Sequence, residues 1–578
     1  MTTTTQTSIE KRPGDSVLRR RDIEEAMPES LRAVCREHPH VFDYISGLPL
    51  SEVGMPEYVP ELTRKMGDSK QPNYIYPAHF KGVFIHVLFS NTDVRHQYIP
   101  IEPSTEGLKD LMQQMEVKLL ALRTKLPRID PDGDKQAQLL DILDLVVSVD
   151  AQASKSSILD RNVGFLRKGG PAVPKLKVTK RELDALRYLF VRDKLGMRVM
   201  DPLMQDPYIE DISCSGTGNL FVEHKIFKSL KTTITFSTHE ELDEYVIWLS
   251  ERVKRPVTNK KPIQDTVLPD GSRINIVYGR NVSRRGSNYT IRKFSETPLS
   301  VFELLEFGTL NYQMLSYLSL AIGCGMNVFV SGETASGKTT LLNAVTTFIP
   351  PLAKVVSLED TPELQVPHKH WLREVAKAAG ADDTSGAVTM FDLLRAALRQ
   401  RPDVIIVGEI RGKEGNVAFQ AMQTGHSVMA TFHAASVEKL IQRITGDPIL
   451  VPKNYVESLN VVILTSQVKL PNGRKGRRLT GIAEIVSYDP VAEAFSFVES
   501  FKWDQTKDVF EFTGYMTSHV LENKVAPRIG ISVHKRQNVY AEMERRAKIL
   551  EKLHKEKGVT GFYEVLEVLS KAQRQGLF

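Results

Sequence analysis

Eight consecutive residues, Gly332, Glu333, Thr334, Ala335, Ser336, Gly337, Lys338 and Thr339, carry the strongest chemical signal in the chain. They match the pattern G-x-x-x-x-G-K-[ST], in which the glycines let backbone N–H groups wrap a chain of phosphates. Lys338 is expected to reach the β- and γ-phosphates, and the Thr339 hydroxyl to ligate Mg²⁺. The surroundings agree, because 326–331 reads as a strand entering the loop and 340–348 as a helix leaving it. A helix N-terminus adds positive potential where phosphates would sit, and Thr340 at its start completes the nucleotide-binding candidates. ATP and Mg²⁺ are the cofactors this pattern predicts.

Two acids are candidates to act on the bound phosphates. Residues 403–409 form an apolar run that begins with Asp403 and ends in Glu409, the form of a strand delivering an acid beside Mg²⁺ or its waters. A second run, 354–363, ends in Glu359, Asp360 and Glu363. Glu359 is the expected base that orients the attacking water, because phosphoryl transfer leaves positioning as the protein's main task. The alternative for Asp360 and Glu363 is to cap the segment that follows. His426 and His433 bracket another apolar run. A zinc pair, a γ-phosphate contact at the strand end and a core histidine are the alternatives, and the phosphate contact is preferred for His433. Arg395 and Arg399, four apart on one helical face before the run 403–409, form either a phosphate-facing pair or a salt-bridged surface. Arg411 follows Glu409 closely, and the sequence supplies no role for it.

Around these residues the chain divides into five stretches. Residues 1–25 are polar and charged and read as a flexible arm. The stretch 26–177 reads as a partner-docking region of strands then helices: β-branched and aromatic residues over 73–101, helical periodicity over 105–149 with Pro127, Pro131 and Gly133 at the join, and a Gly/Pro linker at 168–175. Residues 178–297 read as α+β, with a helix over about 178–195 and another starting near Ser237. There, Ser237 with Glu240 and Thr238 with Glu241 offer two registers of a capping box. Strands are expected within 267–277 and from Tyr289. Strand-like runs alternate with helices over 298–510, the form of a doubly wound α/β domain. Residues 511–578 read as helical, with Tyr540, Met543, Ala547, Leu550 and Leu553 on one face and Gly558 as a stop.

The four elements at 332–339, 357–363, 403–409 and 425–433, in this order, resemble the Walker A, Asp, Walker B and His boxes of the secretion ATPases of the type II/type IV secretion superfamily. The segments 206–213, 268–275 and 289–293 look like the N-terminal half of the same motor, so the resemblance covers about 180–510. The archaeal branch, which powers the archaellum or archaeal type IV pili, is the nearest match. The four-cysteine zinc site of bacterial pilus-extension lines is absent. The resemblance implies an α/β RecA-like P-loop ATPase domain, preceded by an α+β, PAS-like domain and a mostly helical N-terminal region. It implies a ring, usually a hexamer, that pushes a polytopic membrane platform protein and, through it, pilin-like filament subunits. Arginines of the N-terminal half complete the site in such rings. By motif position Arg273 and Arg292 are the catalytic candidates, with Arg280, Arg284 and Arg285 behind them. A cytoplasmic location, peripheral at the inner face of the membrane through partners, goes with that reading.

Composition narrows the classes further. A chain of 578 residues that is 41% hydrophobic and 25% charged is long enough for several folded units and too apolar to be disordered. A net charge of +6 is mild for this length and gives no footprint for direct nucleic-acid binding. Its three cysteines form no metal or disulfide framework, and no apolar run is long enough to span a bilayer. The rival readings are a conjugation-type ATPase moving DNA or protein, a DNA-stimulated RecA-like motor, and a scaffold that holds nucleotide without hydrolysing it. The C-terminal helix, with ten Lys and Arg against six Glu from residue 531 on, reads as a solvated face or a contact to lipid or platform.

Overall fold

The computed structural model describes residues 20–78, 82–105, 107–124, 126–127, 130, 133–150, 175–294, 297–377, 386–471, 473, 475–576 and 578. Residues 1–19 of the expected arm, Pro131 and most of the expected linker at 168–175 lie outside them. The chain divides into two units, Met1–Phe294 and Ser295–Phe578.

The first unit opens with helices at Arg20–Ala26, Glu29–Glu37 and Pro39–Ser46, where strands were expected to come first and the arm to reach residue 25. Leu31 and Cys35, four apart, and Val41, Phe42 and Ile45 are buried, so tertiary contacts hold these short helices. Its strands are β1 (Glu57–Tyr58), β2 (Asn73–Pro77), β3 (Phe84–Leu88), β4 (Gln97–Ile101), β5 (Val147–Val149), β6 (Leu176–Val178), β7 (Ile209–Cys214), β8 (Gly218–His224), β9 (Lys228–Phe236), β10 (Ile263–Val267), β11 (Arg273–Val277) and β12 (Asn288–Arg292). Ten of them form one sheet in the order β1-β2-β3-β4-β9-β8-β7-β12-β11-β10, with β5 and β6 paired apart. Among the described residues of the N-terminal region helix outweighs strand, as expected. Its strands β2 to β4 extend the sheet of the following α+β stretch through a short parallel join, Gln97 to Lys231 and Tyr98 to Thr232. Thr238, not Ser237, caps the helix His239–Arg252, because its side chain accepts the Glu241 N–H.

A buried polar cluster braces the first unit. The Tyr76 and Tyr98 hydroxyls each donate to Asp206 Oδ2 at 2.7 Å, and the Tyr208 N–H donates to Oδ1 at 2.8 Å. Tyr76 also meets His224 Nε2 at 3.2 Å. Each buried polar atom of this set has a partner inside the unit, which is what its burial demands.

The strands of the second unit are β13 (Val328–Gly332), β14 (Val355–Glu359), β15 (Trp371–Val375), β16 (Val404–Val407), β17 (Ser427–Phe432), β18 (Val461–Lys469), β19 (Lys475–Asp489), β20 (Ala494–Asp504) and β21 (Val509–Phe512). The sheet order is β15-β14-β16-β17-β13-β18-β19-β20-β21, parallel as far as β18 and antiparallel beyond. Helices cover both faces, so the parallel strands are buried on two sides and read as continuous apolar runs. Val328 and Val330 enter one core while Phe329 enters the other. Val355 and Val356 divide in the same way. The C-terminal helices Asn538–Lys555 and Phe562–Arg574 do not stand apart: Val539, Tyr540, Met543, Leu550, Val565 and Leu569 join the first of these two cores.

Candidate nucleotide site

Strand register brings the sequence-predicted boxes to one edge of the second sheet. Ser331 of β13 is paired with Phe432 of β17, and Gly332 with Thr465 of β18. Leu358 of β14 is paired with Val407 of β16. The loop after β13, Glu359, Glu409 and His433 therefore all leave the carboxyl ends of neighbouring parallel strands. In doubly wound sheets that edge is where ligands bind.

The loop itself is shaped for close approach. Gly337 takes φ +91° as the cap of the helix Lys338–Val345, and Ala335 takes φ +62°. At Gly332 a Cβ would stand 2.2 Å from the Thr465 carbonyl oxygen and 2.6 Å from Ser336 Oγ, so only glycine fits. Ser336 Oγ and Thr465 Oγ1 are 3.0 Å apart and fix the loop to β18. The Lys338 ammonium donates to the Gly332 and Glu333 carbonyls at 3.0 and 2.8 Å. Burial lowers its pKa, Glu409 opposes that shift, and Arg411 adds to it. Glu333, Thr334 and Ala335 are exposed, whereas Thr339 and Thr340 are half-buried in the first helical turn.

The two predicted acids differ in their surroundings. Glu359 is buried, and its Oε1 accepts the Glu363 and Leu364 N–H groups at 2.6 Å each. Its Oε2 accepts Arg373 Nε at 3.1 Å. Burial raises its pKa, against the pull of those N–H groups and of Arg373. Asn343, on the helix leaving the phosphate loop, braces the same turn: its amide donates to the Glu363 carbonyl and its oxygen accepts the Gln365 N–H. Glu409 is partly exposed, and its Oε2 lies 2.6 Å from an Arg411 terminal nitrogen. The Thr339 hydroxyl and the Glu409 carboxylate are hard oxygen donors of the kind that Mg²⁺ takes, so this donor set fits the ion.

The histidines part company. His433 Nε2 is 2.9 Å from Thr334 Oγ1 on the phosphate loop, and its carbonyl accepts Arg443. His426 precedes β17 at the other end and meets Thr424 Oγ1 at 3.2 Å. The six residues of β17 between them hold the two rings roughly 20 Å apart, which rules out a shared metal ion and removes His426 from the phosphate edge. Arg395 and Arg399 are carried by the helix Met390–Arg399 that precedes β16. They line a groove of about 540 Å³ with Phe391, Lys413 and Leu450. Arg273 and Arg292 belong to the first unit, where they pair across β11 and β12 and Arg292 Nε meets Asp211 Oδ1 at 3.2 Å. Arg280 faces Glu240 at 3.8 Å in the same unit. Asn343, Arg373, Thr465 and Arg477, whose Nε donates to the Ala335 carbonyl at 3.0 Å, are site residues that sequence reasoning missed. Only Asn343, four residues beyond Thr339, stood within reach of a motif.

A family model described as type II/IV secretion system protein matches residues 194–496. An uncharacterized protein of Methanocaldococcus jannaschii is 39% identical over 548 residues, 95% of this chain and 97% of its own length. The type IV secretion system protein PtlH of Bordetella pertussis is 33% identical over 217 residues, 33% of this chain and 62% of PtlH. Protein VirB11 of Agrobacterium fabrum is 28% identical over 259 residues, 40% of this chain and 74% of VirB11. The chain belongs to the type II/IV secretion system protein family.

Proposed function

We propose that this member of the type II/IV secretion system protein family is an ATPase, an MgATP-hydrolysing motor whose hexameric ring drives assembly or rotation of a type IV pilus-like filament or archaellum. The observation that carries the reading is the convergence of the phosphate loop, Glu359, Glu409 and His433 on one sheet edge. In this reading the loop N–H groups and Lys338 hold the phosphates, and Thr339 and Glu409 hold Mg²⁺, which supplies charge neutralisation on the transferring group. Glu359 orients the attacking water once its grip on the 363–364 turn is exchanged for that water. His433, already bonded to Thr334, reports the state of the loop to β17. Arg273 and Arg292 are assigned to phosphate charge arriving from outside the second unit, and the first unit is read as PAS-like with an added partner-docking region.

Force would pass to a polytopic membrane platform protein and thence to pilin-like subunits, with the motor at the cytoplasmic face. Among the described residues no helix is long and apolar enough to cross a membrane, so the bilayer would be reached through partners. Hydrolysis by the full chain tests the enzyme claim. Lys338→Ala is expected to lower turnover by about 100-fold or more, because it removes a cation aimed at the phosphates. Undiminished turnover would end the reading. A second reading, translocation of protein or DNA, is favoured by the 33% identity to PtlH. Strong stimulation by single-stranded DNA would select it, whereas loss of surface filaments on deletion would select the first.

A further inference from the structure

Arg411 is the motif residue to which the proposed mechanism gives no task, and its position suggests one. Its guanidinium donates to Glu409 Oε2 at 2.6 Å. The side chains are 66% and 26% exposed, so solvent reaches both and the pair opens at small cost. The main chain is anchored independently, because the Arg411 and Gly412 N–H groups donate to Glu414 Oε1 at 2.7 and 2.6 Å. The side chain can therefore leave Glu409 without moving the loop. Asp360 and Glu363 also act on the guanidinium, and Lys338 responds to both Glu409 and Arg411. Three carboxylates, Glu409, Asp360 and Glu363, thus act on this guanidinium, and removing it takes one positive charge from the edge.

We propose that Arg411 is a cation stand-in: it pairs with the Glu409 carboxylate and competes with the divalent ion for it, setting the Mg²⁺ concentration at which nucleotide is taken up. The inference rests on the reading of Glu409 as the metal-side acid. Charge alone gives two effects of opposite sign. Losing the guanidinium frees Glu409 for the ion, so less Mg²⁺ is needed. It also removes a positive charge from an edge that must receive a polyanion, so metal-free nucleotide binds more weakly.

Equilibrium binding of N-methylanthraniloyl-ADP to the full chain, in EDTA and then with Mg²⁺ titrated in, separates these effects without hydrolysis. Arg411→Ala is expected to lower the half-saturating Mg²⁺ concentration about three- to tenfold and to weaken binding in EDTA about two- to fivefold. Arg411→Gln, which keeps most of the side chain and discards its charge, is expected to shift both values the same way. Arg411→Lys keeps the charge without the fork and should stay nearer wild type. A half-saturating Mg²⁺ concentration at or above wild type in both neutral variants overturns the proposal. Wild-type binding that ignores Mg²⁺ overturns instead the assignment of Glu409.

Discussion

Two polar clusters, one in each unit, are built on opposite principles. In the first, Asp206 is fully buried, and so are the Tyr76 and Tyr98 side chains whose hydroxyls it accepts. Every bond of that cluster is internal, and its geometry leaves no opening toward a ligand. In the second, Lys338, Glu409, Arg411 and His433 stand at a strand edge with solvent access, each holding a neighbour that a phosphate or a cation could replace. Glu359 lies between the extremes: it is buried like Asp206, yet it sits one residue past a pair shared with the Glu409 strand. The comparison teaches that burial with complete internal satisfaction marks structure, whereas charge held by exchangeable partners marks chemistry.

Glu359→Gln tests the middle case and carries the largest expected effect. Turnover should fall about 100- to 10,000-fold if Glu359 is the base. Stability should change by about 1–3 kcal/mol, because the amide oxygen still accepts the two N–H groups while Arg373 loses its acceptor. Steady-state hydrolysis and urea unfolding of the same protein check both halves. Near-normal turnover would move Glu359 to the structural side.

Asp206→Asn should do the reverse. A neutral amide accepts the two tyrosine hydroxyls less well, at a cost of about 1–3 kcal/mol in unfolding free energy. Nucleotide affinity should stay at wild type, since the Asp206 side chain bonds Tyr76, Tyr98 and Tyr208, none of which is assigned to the nucleotide. A variant of unchanged stability with weakened nucleotide binding would break the contrast.

The smallest effect is a pH dependence of the first unit. Burial lowers the pKa of His40 to about 4, of His86 to about 3 and of His224 to about 4. Groups depressed on folding stabilise above their unfolded value, and that contribution fades as pH falls from about 6.5 toward 3. Amide hydrogen exchange over the first unit of the intact chain should therefore quicken across that window. His86→Gln, with hydrogen bonds to Tyr44 and Asn73 at stake, should flatten the response.

Much of the second unit was legible in the sequence. A strand–glycine loop–helix string is local, and apolar runs buried on two faces announce themselves by composition. The first unit was harder to read. Its short N-terminal helices are held by burial of Leu31, Val41 and Ile45, and the join of β4 to β9 links residues far apart in the chain. The competition between Ser237 and Thr238 as cap was visible, but its outcome needed the backbone angles at the helix start.

What the sequence determined by itself is the set of chemical groups: a phosphate loop, two strand-terminal acids and two histidines in a fixed order. The tertiary structure decided which of them meet. Parallel register brought His433 to the loop and sent His426 to the far edge, because a strand separates its two ends by its full length. Packing decided that Glu359 is enclosed by N–H groups and Arg373 while Glu409 faces solvent and Arg411, since burial and partners are properties of neighbouring strands and of no local stretch.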